Sequence, residues 1–156
     1  MIKINVLAVG KVKEKYFLDG INEYKKRLSR FCDFNIIEIE EENFKNPTPS
    51  EIEIIKEKEA QKILPHIKGK TIVMAIEGKK ISSEKLASLI LDFQNLSSTI
   101  TFIIGGSYGL SDKVKNKADI KLSFSDMTFP HTLFRLMLTE QIYRAFTIIN
   151  GVSYHK

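Results

Sequence analysis

The run 131–150 (HTLFRLMLTEQIYRAFTIIN) reads as one long helix that is apolar on most of its circumference. Leu133, Phe134, Leu136, Met137, Leu138, Ile142, Ala145, Phe146 and Ile149 are too widely spread to share one stripe, yet a helix lying on a single sheet face needs only a stripe. This helix must be buried by more than one sheet face can offer. Pro130 suits its first turn and Gly151 its end.

Ahead of it, short apolar runs alternate with helical patterns. Residues 2–9 stop at Gly10 and read as a buried strand. Phe17, Ile21, Tyr24, Leu28 and Phe31 recur at spacings of four and three, which marks an amphipathic helix with Lys25, Lys26, Arg27 and Arg30 outside. Further strands are expected at 34–40, 71–76, 100–104 and 120–124. Residues 40–50, with Glu40-Glu41-Glu42 and Asn46-Pro47-Thr48-Pro49, are expected to form a mobile surface loop. Ser50 with Glu53 fits a capping box for a helix reaching about Leu64, with Ile52, Ile55 and Ile63 inward. Glu77-Gly78-Lys79-Lys80 is expected to be a loop, Ser82 or Ser83 a cap, and Ser111 the cap of a short helix. Strands alternating with helices predict an α/β fold with a parallel sheet, one domain over 1–156.

Composition narrows the partners without naming one. The 24 basic and 19 acidic residues give a net charge of +5, which permits an RNA partner but does not identify it. A single cysteine, Cys32, excludes an internal disulfide and fits a reducing, cytoplasmic setting, where it reads as a packed apolar-like residue. No apolar run approaches the ~20 residues of a membrane span, and the first ten residues lack the layout of a signal peptide.

Most familiar chemistries are excluded. Neither Gly69-Lys70 nor Gly78-Lys79 completes a phosphate-binding loop. The order Gly105-Gly106-Ser107-Tyr108-Gly109 does not match a dinucleotide fingerprint. His66, His131 and His155 are scattered, so no metal is expected. No nucleophile elbow occurs. What remains is a ligand held mainly by backbone between the Gly105 loop and residues 125–129, at the carboxyl ends of two strands. That suits an adenosine-containing molecule that carries its own reactivity.

Four ordered stretches then carry a resemblance: Ile-Gly-Gly-Ser-x-Gly-Leu (104–110), Leu-Ser-x-Ser-x-Met-Thr-Phe-Pro-His (122–131), Glu-Gln-x-Tyr-Arg-Ala (140–145) and Tyr-His-Lys (154–156). The opening Leu-Ala-Val-Gly-Lys (7–11) and the Ile-Glu-Gly-Lys turn (76–79) match too. Together they resemble the SPOUT methyltransferases over the whole chain, most closely those that modify ribosomal RNA. The resemblance implies a carboxyl-terminal trefoil knot, which no ordinary rule of chain topology predicts. It implies S-adenosylmethionine bound there by Met74, Gly105, Gly106, Phe124, Ser125, Asp126, Met127, Thr128 and Phe129. It implies methylation of N3 of a pseudouridine in helix 69 of 23S rRNA and a homodimer that buries the last helix. Because lysines and arginines attract phosphate without reading sequence, the folded ribosomal surface is expected to provide specificity, with assembled ribosomes as the substrate.

His131, Glu140, Arg144, Tyr154 and His155 are the polar candidates for catalysis on this reading. Each has a plainer role. His131 can orient the helix start, Glu140 and Arg144 can form an intrahelical ion pair, and a tail such as 152–156 usually frays. The residues name no proton acceptor. Two rivals stand beside this reading: a methyltransferase of the same class acting on another nucleotide, and a non-catalytic flavodoxin-like nucleotide-binding module.

Overall fold

In the computed structural model, which describes residues 1–156, the apolar runs become β1 (Lys3–Val9), β2 (Asp33–Ile39), β3 (Lys70–Lys80), β4 (Thr99–Ile104) and β5 (Ile120–Ser123). They pair in parallel as one five-stranded sheet, in the order β2-β1-β4-β3-β5. A flavodoxin-like sheet runs 2-1-3-4-5, so that rival loses its structural basis. The helices are α1 (Lys15–Leu28), α2 (Pro49–Ile63), α3 (Ser83–Leu96), the single turn α4 (Asp112–Lys115) and α5 (His131–Ile149).

Strand alternation sends side chains to two cores, because successive residues point to opposite faces. Ile4, Val6, Ala8, Phe102, Ile104, Ile72 and Met74 meet Leu28, Leu86, Ile90, Leu138 and Ile142 on one face. Leu7, Val9, Ile103 and Val73 meet Ala60, Ile63 and Val114 on the other. Covered on both faces, the central strands are nearly continuous apolar runs. The largest core lies under α5, which packs between α1 and α3 as well as on the sheet. That is the second surface its composition requires.

One buried cation fixes this helix. The Arg135 side chain is 3% exposed; it is paired with Glu38 at the end of β2 and donates to the Gly10 carbonyl at 3.0 Å. Gly10 has φ +95° and turns the chain out of β1. The α5 helix is thereby tied to the carboxyl ends of two strands.

Several local expectations need correction. The capping box is Thr48 with Glu51, not Ser50 with Glu53, and Pro49 occupies the first helical position. The start of the expected mobile loop is held: Lys62 Nζ donates to the Glu40 carbonyl at 3.1 Å, and the Glu42 N–H donates to the buried Glu59 carboxylate at 3.0 Å. Residues 77–80 are not simply a loop either. Leu122 of β5 pairs with Met74 and again with Lys79, so residues 75–78 arch outward and the chain then rejoins the sheet. Of the two serines offered as caps, Ser82 is the one used; Ser111 caps α4. Cys32 is 2% exposed, and burial pushes its thiol up to about 12, so it is neutral packing.

The arch depends on Gly78. A Cβ there would lie 2.6 Å from the Leu122 carbonyl carbon and 2.7 Å from its nitrogen, backbone atoms that cannot yield. Gly78→Ala is expected to cost roughly 1–3 kcal/mol, the usual range for overpacking, read as a lower urea midpoint with unchanged slope.

Candidate functional site

Loops at the carboxyl ends of β3, β4 and β5 surround one cleft of about 780 Å³, within the roughly 300–1,000 Å³ usual for ligand pockets. Its walls are the arch from Met74 to Glu77, the glycine loop from Ile104 to Leu110, and the segment from Leu122 to His131 without Asp126; Lys115 and Phe134 close it.

Each wall has a local cause. In the glycine loop the Gly109 N–H donates to the Gly106 carbonyl at 3.1 Å, and Gly109 takes φ +81°, so four residues reverse the chain. A Cβ on Gly105 would lie 2.9 Å from the Leu110 side chain and 3.0 Å from the Gly109 carbonyl carbon. Only a glycine lets the two limbs close and leaves the backbone bare toward the cleft. After β5, serine side chains replace sheet pairing. Ser123 Oγ donates to the Ser125 carbonyl at 2.9 Å, and the Met127 N–H donates to Ser125 Oγ at 3.0 Å. Met127 is held outward, 73% exposed, on the lip. Phe124 packs against Phe134 with the rings tilted by 39° and their centroids 4.8 Å apart, which ties this segment to α5. Opposite, Lys115 and Glu77 pair at 2.7 Å; that contact holds Glu77 below the usual carboxylate range.

Of the residues expected to hold a donor, Met74, Gly105, Gly106, Phe124, Ser125, Met127, Thr128 and Phe129 all line this cleft. Asp126 does not; it points to solvent and pairs with Lys80. The walls suit an adenosine-containing sulfonium compound: apolar surface, bare backbone at Gly105, and no acceptor site for a metal, since no group of three or more His, Cys, Asp or Glu converges.

The polar candidates fall into two places. His131 lines the cleft against Gly10, and its Nδ1 is buried without a protein partner. Glu140 lies nine residues on, about 14 Å along the axis and half a turn round. There it meets the tail. Arg144 pairs with Glu140 at 2.7 Å, Tyr154 donates its hydroxyl to Glu140 at 3.1 Å, and His155 bridges Arg144 at 3.1 Å and Glu84 at 2.7 Å. Tyr154 also packs edge-on against Tyr143, centroids 4.8 Å apart, under the Arg144 guanidinium. The tail is therefore docked, not frayed. Gly151 at φ +66° reverses the chain, and the Val152 N–H returns to the Thr147 carbonyl at 2.9 Å. Burial first, then the Tyr24 hydroxyl and Glu140, push the Tyr154 phenol above its ordinary range, so it acts as a donor. The hydrogen bond from His155 holds Glu84 below the usual carboxylate range.

Sequence reasoning missed Arg135, Glu59 and Glu41. The first two are charged residues at buried helical positions, and a burial periodicity that admitted charges would have found them. Glu41 left no local signal.

Comparison with known proteins adds relatives. A sequence model of the family described as "Predicted SPOUT methyltransferase" matches residues 2–155. A Clostridioides difficile protein named ribosomal RNA large subunit methyltransferase H is 52% identical, over 99% of this chain and all of its own length. One of the same name from Acetivibrio thermocellus is 48% identical with the same coverage. Among solved structures, the tRNA (m1G37) methyltransferase of Aquifex aeolicus superposes with a TM-score of 0.52 at 13% identity, covering 92% of this chain and 69% of that one. A probable methylase family protein from Haemophilus influenzae gives 0.53 at 11% identity, covering 99% and 70%. These structural likenesses speak to the fold alone.

The docked tail has a measurable weight. A chain ending at Val152 loses the exposed His155–Glu84 pair and the Tyr154 ring and hydroxyl contacts, the latter ~1–2 kcal/mol together. Its melting temperature is expected to fall by roughly 2–8 °C; an unchanged melt would mean that the tail carries no stability.

Proposed function

Because the chain belongs to the SPOUT methyltransferases, we propose that it methylates N3 of a pseudouridine in helix 69 of 23S rRNA, using S-adenosylmethionine and acting on assembled ribosomes. The observation that carries this reading is the cleft in which eight residues expected to hold the donor converge. Relatives about 50% identical over their full length carry names for large-subunit rRNA methylation. The position on the nucleotide and the helix rest on the four resembling stretches, and the assembled particle on basic residues that attract phosphate without reading sequence. The same reading takes 1–156 as one methyltransferase domain, with a trefoil knot at its carboxyl end; the family match over 2–155 supports the former. It places the enzyme with ribosomes in the cytoplasm, and no helix is long and apolar enough to cross a membrane.

When bound, the donor supplies a methyl group on a sulfonium, so leaving-group chemistry needs no help from the protein. The chain's task is alignment. The bare backbone at Gly105 and Gly106, the Ser125-to-Phe129 segment and Met74 hold the donor, and Asp126 braces the lip through Lys80. His131 stands in the cleft wall with its Nδ1 buried toward Gly10, where it shapes the wall and orients the start of α5. Glu140 lines an adjoining cavity that shares Leu122, Ser123 and Phe124 with the donor cleft, and Arg144, Tyr154 and His155 gather round it. In a homodimer these residues are also offered to the partner's cleft. Incompletely buried Leu133, Leu136 and Met137 on α5, with exposed Met127 and Tyr108 at the cleft, supply apolar surface for that partner.

The chain is basic overall, with a net charge of +5. Its basic residues attract phosphate without reading sequence, so the shape of the folded ribosomal surface provides specificity.

Two experiments bear on this reading. S-adenosylhomocysteine is expected to raise the melting temperature, and Gly105→Val to abolish its binding with modest loss of stability. Methyl incorporation should then appear at the pseudouridine N3 in ribosomes lacking the modification; incorporation elsewhere would assign another nucleotide. Sedimentation at micromolar concentration is expected to show a dimer, and a monomer would count against the shared site.

A further inference from the structure

We propose that Glu41 is a positioning residue for the methyl-donor site, acting through Ser107 to hold the glycine loop in its binding shape. The inference rests on reading the cleft at β3, β4 and β5 as that site.

Glu41 does not line the cleft; Ser107 does. The Ser107 hydroxyl donates to Glu41 Oε1 at 2.9 Å, across 66 residues of sequence. The same carboxylate backs the neighbouring glycine. A Cβ on Gly106 would lie 3.3 Å from Glu41 Oε1 and 2.9 Å from Val9 Cγ1. The loop therefore rests on the end of β1 and on Glu41 together.

Glu41 is itself braced. Lys62 of α2 donates to the Glu40 carbonyl at 3.1 Å and pairs with the Glu42 carboxylate at 2.8 Å. Glu59 of α2, buried, accepts from the Glu42 N–H at 3.0 Å. Both neighbours of Glu41 are thus anchored to one helix, and the residue between them reaches the loop. Burial pushes the Glu59 carboxyl above its ordinary range, opposed by the Glu42 N–H it accepts.

The loop needs such a brace. Residues 105–109 contain three glycines, and glycine loses more conformational freedom on being fixed than any other residue. Within the loop the backbone closes on itself through a bond from the Gly109 N–H to the Gly106 carbonyl at 3.1 Å. A hydrogen bond to a carboxylate is stronger than one between neutral groups. Fixing the loop before the ligand arrives removes an ordering cost from binding.

The test uses full-length Glu41→Ala, Glu41→Gln, Ser107→Ala and the Ala/Ala double variant. Affinity for S-adenosylhomocysteine is read by calorimetry, and amide exchange across 105–109 is read in the ligand-free protein. Glu41→Ala and Ser107→Ala are each expected to weaken binding about 5- to 10-fold, roughly one charge-assisted hydrogen bond. The double variant should be no weaker than either single one. Glu41→Gln keeps an acceptor and should recover most of the affinity, which a general loss of folding would not do. Exchange at 105–109 should rise in Glu41→Ala while β1 and β4 stay protected. Wild-type affinity and exchange in Glu41→Ala, or single effects that multiply in the double variant, would overturn the proposal. If the unmodified protein fails to bind S-adenosylhomocysteine, the reading of the cleft fails, and the exchange measurement still decides whether Glu41 holds the loop.

Discussion

Burial of α5 is the constraint on which the rest of the molecule depends. Nineteen helical residues are packed between α1, α3 and the sheet, and the one buried guanidinium among them pairs with a strand-end carboxylate and donates to a turn carbonyl, with its Nε left unpartnered. A buried cation without partners would be strongly destabilising, so Arg135 admits one placement of the helix along its axis. From that placement follow both ends. The first turn brings His131 into the cleft wall. The last turn releases the chain at Gly151, where Tyr154 folds back on Tyr143.

Much of this was legible because its causes are local. Helical spacing in α1, the serine caps and the glycine after α5 are short-range signals, and the structure shows them where they were read, except that α1 stops at Leu28 and leaves Arg30 and Phe31 in the turn beyond it. The capping box was misplaced by two residues because the Thr/Ser-x-x-Glu pattern occurs twice, and Pro49 favours the earlier frame. Failures came where a distant partner decides. Lys79 and Lys80 look like loop residues until β5, some forty positions on, supplies their pairing. Tyr154 looks like a free tail until Tyr143 and Glu140 are brought beneath it. The cleft was recognisable as two strand-end junctions rich in glycine and serine, whereas the contribution of Glu41 crosses 66 residues.

The division of polar residues along α5 also changes what each can do. In one chain, His131 has an unpartnered nitrogen beside the cleft, while Glu140 is saturated by Arg144 and Tyr154. That set of residues is better suited to presenting Arg144 and the tail as an ordered, charged surface.

The arch at 75–78 also bears on how the molecule is assembled. Leu122 sits between Met74 and Lys79, so β5 completes its pairing only when both limbs of β3 are in place. Contacts of such sequence separation are slow to form, because chain entropy is lost before they are rewarded. The cleft walls belong to the same three strand ends. A sheet without β5 would therefore lack the Leu122-to-His131 wall, so the cleft is complete only when β5 has paired with both limbs of β3.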